Sequence, residues 1–256
     1  MSQNVSFFEL LKAKWGEGKF VCVGLDKADF EFNKSIIDQT ADLVLAYKPQ
    51  SAFYEAEDLE GLKALKETIS YIKQNHPDIP VILDAKRGDI GNTSASYAKA
   101  TFDNLKADAV TLSPYMGQDS LQPFLDRKDK GSIILVRTSN QGAGEFQDLL
   151  VEGKPFYQIV AKHARNWNTN GNVAVVVGAT NPEELKKVRE IVGDIPILVP
   201  GIGAQGGDLE IVLKNGLDSN KKGLIISSSR TIIFADNPRQ ATQDLDTQIR
   251  EILKSV

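Results

Sequence analysis

Short apolar runs alternate along the whole chain with longer amphipathic stretches. Phe20-Val-Cys-Val-Gly-Leu25 is apolar throughout, the pattern of a strand buried on both faces. Seven similar runs follow, at 43–47, 81–83, 109–112, 132–136, 173–177, 195–199 and 223–226. The stretches between them carry apolar residues at helical spacing. One lies ahead of the first strand, with apolar residues at 5, 7, 8, 11 and 15, and Gly16 and Gly18 end it. Further helices are predicted over 32–40, 59–75, 92–104, 118–125, 155–167, 181–192, a short one ending near Lys214, and 238 to the end. Pro155, Pro182 and Pro238 each fall at the start of a helix, where a missing N–H does no harm. A long glycine-containing loop separates the fifth strand from the helix at Pro155.

Strands that alternate with helices pair in parallel. Eight such units in 256 residues match a (β/α)₈ barrel with an extra N-terminal helix, one domain over 1–256. An open doubly wound sheet is the alternative. No strong internal repeat is present.

Composition narrows the function classes. Charged residues make up 25 % and the net charge is −4, so broad nucleic-acid binding is not expected and any phosphate site must be local. No apolar run approaches the roughly 18 residues of a membrane span. The single cysteine, Cys22, allows no internal disulfide and fits a reducing compartment. The start, Met-Ser-Gln-Asn-Val-Ser, lacks the basic and apolar regions of a secretory signal. These features predict a cytoplasmic protein that binds neither membrane nor nucleic acid. Cys22 falls inside a strand and reads as a core thiol. His76 and His163 read as surface residues, and a zinc site is not indicated.

The chemistry collects at strand ends. In a barrel these converge on one rim, where active sites sit. The first strand offers Asp26, the second Lys48, and the third Asp84 and Lys86. Strand side chains alternate, so Asp84 and Lys86 face the same way and Ala85 faces away. A structural ion pair explains one Asp–Lys contact, but less well the run Asp84-Ala-Lys86-Arg-Gly-Asp89 with Thr93 one turn later. The fifth strand ends in Thr138, Ser139 and Asn140, the eighth in Ser227 to Arg230. After the seventh, Pro200 precedes Gly201-Ile-Gly203-Ala-Gln-Gly206. That matches a dinucleotide-binding spacing, but it lies on the penultimate unit and lacks the acid that follows such a site. Loops after strands seven and eight of a barrel bind phosphate, with Arg230 as the cation.

Asp84-x-Lys86-x-x-Asp89 with Ile90-x-x-Thr93 resembles the signature of the orotidine 5′-phosphate decarboxylase family. The resemblance extends to Asp26, Lys48, Ser139, the segment from Pro200 to Gln205, and Ser229-Arg230. Gln141 and Thr231 depart from it, where relatives often have proline and glycine. It implies conversion of orotidine 5′-phosphate to uridine 5′-phosphate and carbon dioxide, in pyrimidine synthesis, with no cofactor and no metal. Lys86 would protonate C6 of the pyrimidine, and Asp84 would sit near the carboxylate that leaves. Lys48 and Asp89 would hold those two charged and help to bind ribose. Asp26 would accept a ribose hydroxyl, Ser139 would read the pyrimidine edge, and Gln205 and Arg230 would grip phosphate, with Pro200 and Ser229 in the same binding segments. It also implies a homodimer in which Asp89 and Thr93 serve the partner's ribose pocket. Competing readings are a metal-dependent sugar-phosphate decarboxylase or aldolase of the same superfamily, a Schiff-base aldolase, and a nucleotide-binding barrel without catalysis.

Overall fold

The computed structural model describes residues 5–202 and 207–255. Eight strands form one parallel sheet: β1 (Val21–Leu25), β2 (Ala46–Pro49), β3 (Ile82–Arg87), β4 (Ala109–Leu112), β5 (Gly131–Arg137), β6 (Val173–Val177), β7 (Ile197–Pro200) and β8 (Leu224–Ser228). Their order is β2-β1-β8-β7-β6-β5-β4-β3. The two ends of that order meet, because Tyr47 pairs with Val81 and Gln50 with Asp84, both in parallel. An open sheet would leave β2 and β3 as opposite edges, so the barrel replaces the doubly wound alternative. β1 and β6 are buried at every position, which is why they read as continuous apolar runs.

Helices wrap the barrel: α1 (Phe7–Gly16), α2 (Phe30–Thr40), α3 (Ser51–Glu55), α4 (Asp58–Asn75), α5 (Gly91–Ala98), α6 (Gln118–Leu125), α7 (Gly144–Gln147), α8 (Phe156–Trp167), α9 (Pro182–Val192), α10 (Leu209–Gly216), α11 (Arg230–Ile233) and α12 (Pro238–Leu253). α8 buries Tyr157, Val160, Ala161 and Ala164, one stripe of its surface. Asp29, Asp208 and Asn237 cap their helices by accepting a backbone N–H three residues on. α1 opens with a capping box between Ser6 and Glu9. It lies against the N-terminal end of the barrel: Phe7 packs where a Cβ on Gly131 would fall, 2.3 Å from its ring. The Trp15 indole N–H donates to the Leu224 carbonyl at 2.8 Å.

Several boundaries differ from the sequence reading. β2 starts later, at Ala46, although Val44 and Leu45 before it are buried and the Leu45 N–H already donates to the Val21 carbonyl at 2.7 Å. Lys48 therefore lies within a strand. β3 runs on to Arg87. The helix expected over 92–104 is α5 followed by a wider π turn, Lys99–Asn104. The short helices α3, α7 and α11, and an antiparallel ribbon of Leu150–Val151 with Lys154–Pro155, were not apparent. No helix among the described residues is long and apolar enough to cross a membrane.

Candidate active site

The C-terminal end of β3 is irregular. It pairs with β4 at Leu83↔Val110 and again at Arg87↔Leu112, so β3 advances further than β4 between those points. The excess is a bulge, a device that re-aims side chains. Lys86 lies in it with φ of 45°, a left-handed conformation unusual for a residue with a Cβ. Simple alternation predicted that Asp84 and Lys86 would meet, and they do, at 2.7 Å between Lys86 Nζ and Asp84 Oδ1. The geometry that joins them is nevertheless the bulge and not a regular strand.

Lys48 Nζ donates to Asp84 Oδ2 at 3.0 Å, so the carboxylate is held between two ammonium groups. Thr111 on β4 supplies a further donor, its hydroxyl giving its proton to Asp84 Oδ1 at 2.8 Å. Burial alone would drive the Asp84 carboxyl toward its neutral form, but Lys48 and then Lys86 outweigh it and hold the group well below the usual carboxylate range. Lys48 mirrors this: desolvation opposes its charge, while Asp84 and Asp26 raise its proton affinity above that of an ordinary lysine. The two lysines differ in access. Lys48 has 8 % of its side chain exposed and Lys86 47 %, so Lys86 is the one that can meet a bound molecule. The Cys22 thiol behind them is pushed up to about 12, chiefly by burial, in keeping with a core thiol.

A cavity of about 380 Å³ opens above this group. Lys48, Asp84, Lys86, Thr111, Thr138, Ser139 and Asn140 line its polar side, and Leu135, Val176, Leu198 and Pro200 its apolar side. A lining that mixes polar groups with aliphatic carbon suits a flat, polar-edged ring. Ser139 and Pro200 thus join the lysines, as read from the sequence. Ser139 packs so closely on Gly178 that a Cβ there would lie 2.7 Å from the serine's own Cβ. The segment before it is tethered: the Gln147 side-chain oxygen accepts from the Thr138 N–H at 2.9 Å, and its amide donates to the Thr138 hydroxyl at 2.9 Å. Arg137 donates to Gln147 and to Asp148, fixing the returning loop to the end of β5.

Asp26 stands at the end of β1. Its Oδ2 accepts from the Ser229 hydroxyl at 2.5 Å, while its Oδ1 is buried and finds no partner among the described residues. Gly24 makes the approach possible, since a Cβ there would come within 2.7 Å of the Ser229 Cβ. Ser229 is therefore engaged with Asp26. Arg230 next to it is exposed and opens α11. Gln205 lies outside the described residues. Asp89 makes no hydrogen bond or ion pair with Asp84 or Lys86. Its Oδ1 accepts from the Ile90 N–H at 2.8 Å, and α5 starts without a side-chain cap, so Asp89 is not a helix cap either. Thr93 is exposed on the first turn of α5. Among the described residues no group of three or more His, Cys, Asp and Glu side chains is disposed to hold a metal ion.

Residues 19–245 match the profile of the orotidine 5′-phosphate decarboxylase / HUMPS family. The chain belongs to that family. It is 50 % identical over 251 residues to the orotidine 5′-phosphate decarboxylase of Cellvibrio japonicus, covering 91 % of each chain. It is 48 % identical over 270 residues to that of Ralstonia pickettii, covering 95 % of this chain and 99 % of the relative. Among solved structures, OMP decarboxylase of Leishmania donovani superposes with a TM-score of 0.92 at 41 % identity, covering 98 % of this chain and all of the other. UMP synthase of the same organism superposes with a TM-score of 0.94 at 44 % identity. That match covers 97 % of this chain, which spans 57 % of the synthase's length.

Within this family member, two participants escaped the sequence reading. Thr111 sits in an apolar strand, where a threonine has an ordinary packing explanation, and its partners lie 25 and 27 positions away. Gln147 lies in a segment read as plain loop. A polar side chain between two apolar walls was the signal available for the first, and none marked the second.

Proposed function

We propose that this chain decarboxylates orotidine 5′-phosphate to uridine 5′-phosphate, with the cavity above Lys86 as its active site. The observation that carries the assignment is one carboxylate, Asp84, clamped between a buried and an accessible lysine at the base of a ring-sized cavity. In the reaction the bond from C6 to the carboxylate breaks and its electron pair stays on C6. The Lys86 ammonium stabilises that pair as it forms and then transfers a proton to C6, after which water reprotonates the amine. Asp84 faces the departing carboxylate, and their like-charge contact is relieved as carbon dioxide leaves. Lys48 keeps Asp84 ionised. Asp26, whose Oδ1 has no partner among the described residues, accepts a ribose hydroxyl, and Ser229 orients it. Ser139 reads the pyrimidine edge. Arg230, with Gln205 and the loop after Pro200, takes the phosphate, so binding far from C6 assists the chemistry. The side chains supply the cation, the anion and the proton, and no cofactor is invoked.

The whole of 1–256 is read as one such domain, working in the cytoplasm on pyrimidine synthesis. We further propose a homodimer with shared sites. Asp89 points its carboxylate at the Ile90 N–H alone among the described residues. Ile90 after β3, and Tyr115 and Met116 after the neighbouring β4, leave apolar side chains exposed on that rim. A partner that covers this rim gives Asp89 and Thr93 a ribose to bind. The deciding measurement is loss of the orotidylate absorbance in the presence of the enzyme. Lys86→Ala is expected to abolish turnover while it still folds and binds uridine 5′-phosphate. Near-normal decarboxylation by that variant would overturn the assignment.

A further inference from the structure

We propose that Thr111 is the positioning residue for Lys86, holding that lysine directly by its backbone N–H and, through Asp84, by its ammonium group. Between Leu83↔Val110 and Arg87↔Leu112, Thr111 is the one β4 residue that faces the bulge. Its hydroxyl stands in for a ladder carbonyl and accepts the Lys86 N–H at 2.9 Å. A hydroxyl has a single hydrogen, and this one goes to Asp84 Oδ1 at 2.8 Å. The same oxygen takes Lys86 Nζ at 2.7 Å. Thr111, Asp84 and Lys86 therefore close a ring in which each group fixes the next.

The ring has work to do because Lys86 is held at φ of 45°. A residue with a Cβ stays there only when its surroundings over-determine it. That backbone angle sets the direction in which the side chain leaves β3, and hence where Nζ stands at the base of the cavity. Thr111 is 1 % exposed at the edge of the cavity, and in a valine variant a methyl group would fill the place of its hydroxyl. Valine has nearly the same shape without the hydroxyl. It would leave the Lys86 N–H without its acceptor and Asp84 Oδ1 with one donor fewer, and the bulge would be free to relax. If Thr111 were a packing residue, valine would serve as well.

The inference rests on Lys86 as the proton donor. Its test compares Thr111→Val with Thr111→Ser, reading kcat, KM, and exchange of the C6 hydrogen of uridine 5′-phosphate with solvent deuterium. That exchange needs Lys86 in place but not the departure of carbon dioxide. Thr111→Val is expected to lower kcat roughly 100-fold, the scale of loss for a misplaced catalytic group. The exchange rate should fall in step, binding of uridine 5′-phosphate should hold, and Thr111→Ser should recover most of the loss. Wild-type kcat in Thr111→Val overturns the proposal. So does a fall in Thr111→Ser as deep as in the valine variant, or a fall in kcat with exchange unchanged. If the valine variant does not fold, Thr111→Ala is read against Thr111→Ser by the same criteria. An active Lys86→Ala enzyme would remove the underlying assignment. An inactive Lys86→Ala enzyme beside a fully active Thr111→Val enzyme would remove this inference alone.

Discussion

Asp84 is a largely buried carboxylate set between two cations. It has 13 % of its side chain exposed and is paired with two lysines. Its carboxyl binds protons less readily folded than unfolded, so it contributes stability above about pH 4, the unfolded value, and loses that contribution as pH falls toward the folded one. Lys48 works the other way: its raised proton affinity contributes stability below about pH 10, lost as pH rises further. The pair is therefore most stabilising across the neutral range. Asp84→Asn leaves Lys48 buried without its nearest counter-charge, a change that costs about 3–5 kcal/mol. Urea unfolding at pH 7 should show that loss, and the gap to wild type should narrow as pH drops below about 4. Equal stability of the two proteins at pH 7 would contradict this account. Asp84 and Lys86 were legible because charge in an apolar strand stands out. Thr111 was not, because its role exists only through β3.

At the scale of elements, the segment after β5 shows how a loop is built to hold a site. Arg137 is 8 % exposed and reaches back to Gln147 and Asp148. Gln147 in turn holds both the N–H and the hydroxyl of Thr138, just before Ser139. Two such bonds contribute about 1 kcal/mol each, net of their exchange with water. Gln147→Ala should loosen 138–140 and raise KM for the substrate about tenfold, since about 1.4 kcal/mol corresponds to a factor of ten. The loss in unfolding stability should stay within about 2 kcal/mol, the two bonds removed, because α7 buries no residue. An unaltered KM would show that the loop needs no such tether. The region had read as featureless loop because α7 is four residues long, too short for any periodicity to register.

At the scale of the molecule, the open question is where Asp89 acts. Within the chain it pairs with neither Asp84 nor Lys86, and it does not cap α5. A two-fold dimer is the commonest symmetric assembly and would bring this turn to a second site. Mixing Asp89→Ala with Lys86→Ala, each inactive alone, separates the cases. If Asp89 serves the partner, a mixed dimer has one site with both lesions and one with neither, and activity returns. If it serves its own chain, every site keeps one lesion and nothing returns. Verified mixed dimers without activity would reject the shared site.

The sequence by itself determined the alternation of strand and helix and placed charge at the strand ends. Eight apolar runs at regular spacing admit few arrangements, because strands buried on both faces must pair in parallel beneath helices. Charged residues at the ends of those runs are expensive unless used, so Asp26, Lys48, Asp84 and Lys86 announced a site before any geometry was known. Eight units in 256 residues favoured the barrel, although the local pattern alone also fits an open sheet. The Tyr47↔Val81 and Gln50↔Asp84 pairings decided it, through contacts between strands that are not neighbours in an open sheet. Tertiary structure alone also decided that Lys86 sits on a bulge, that Thr111 closes it, and that Ser229 is spent on Asp26. Each of these depends on which strand lies beside which, and a hydroxyl carries no mark in the sequence of the distant group it will meet.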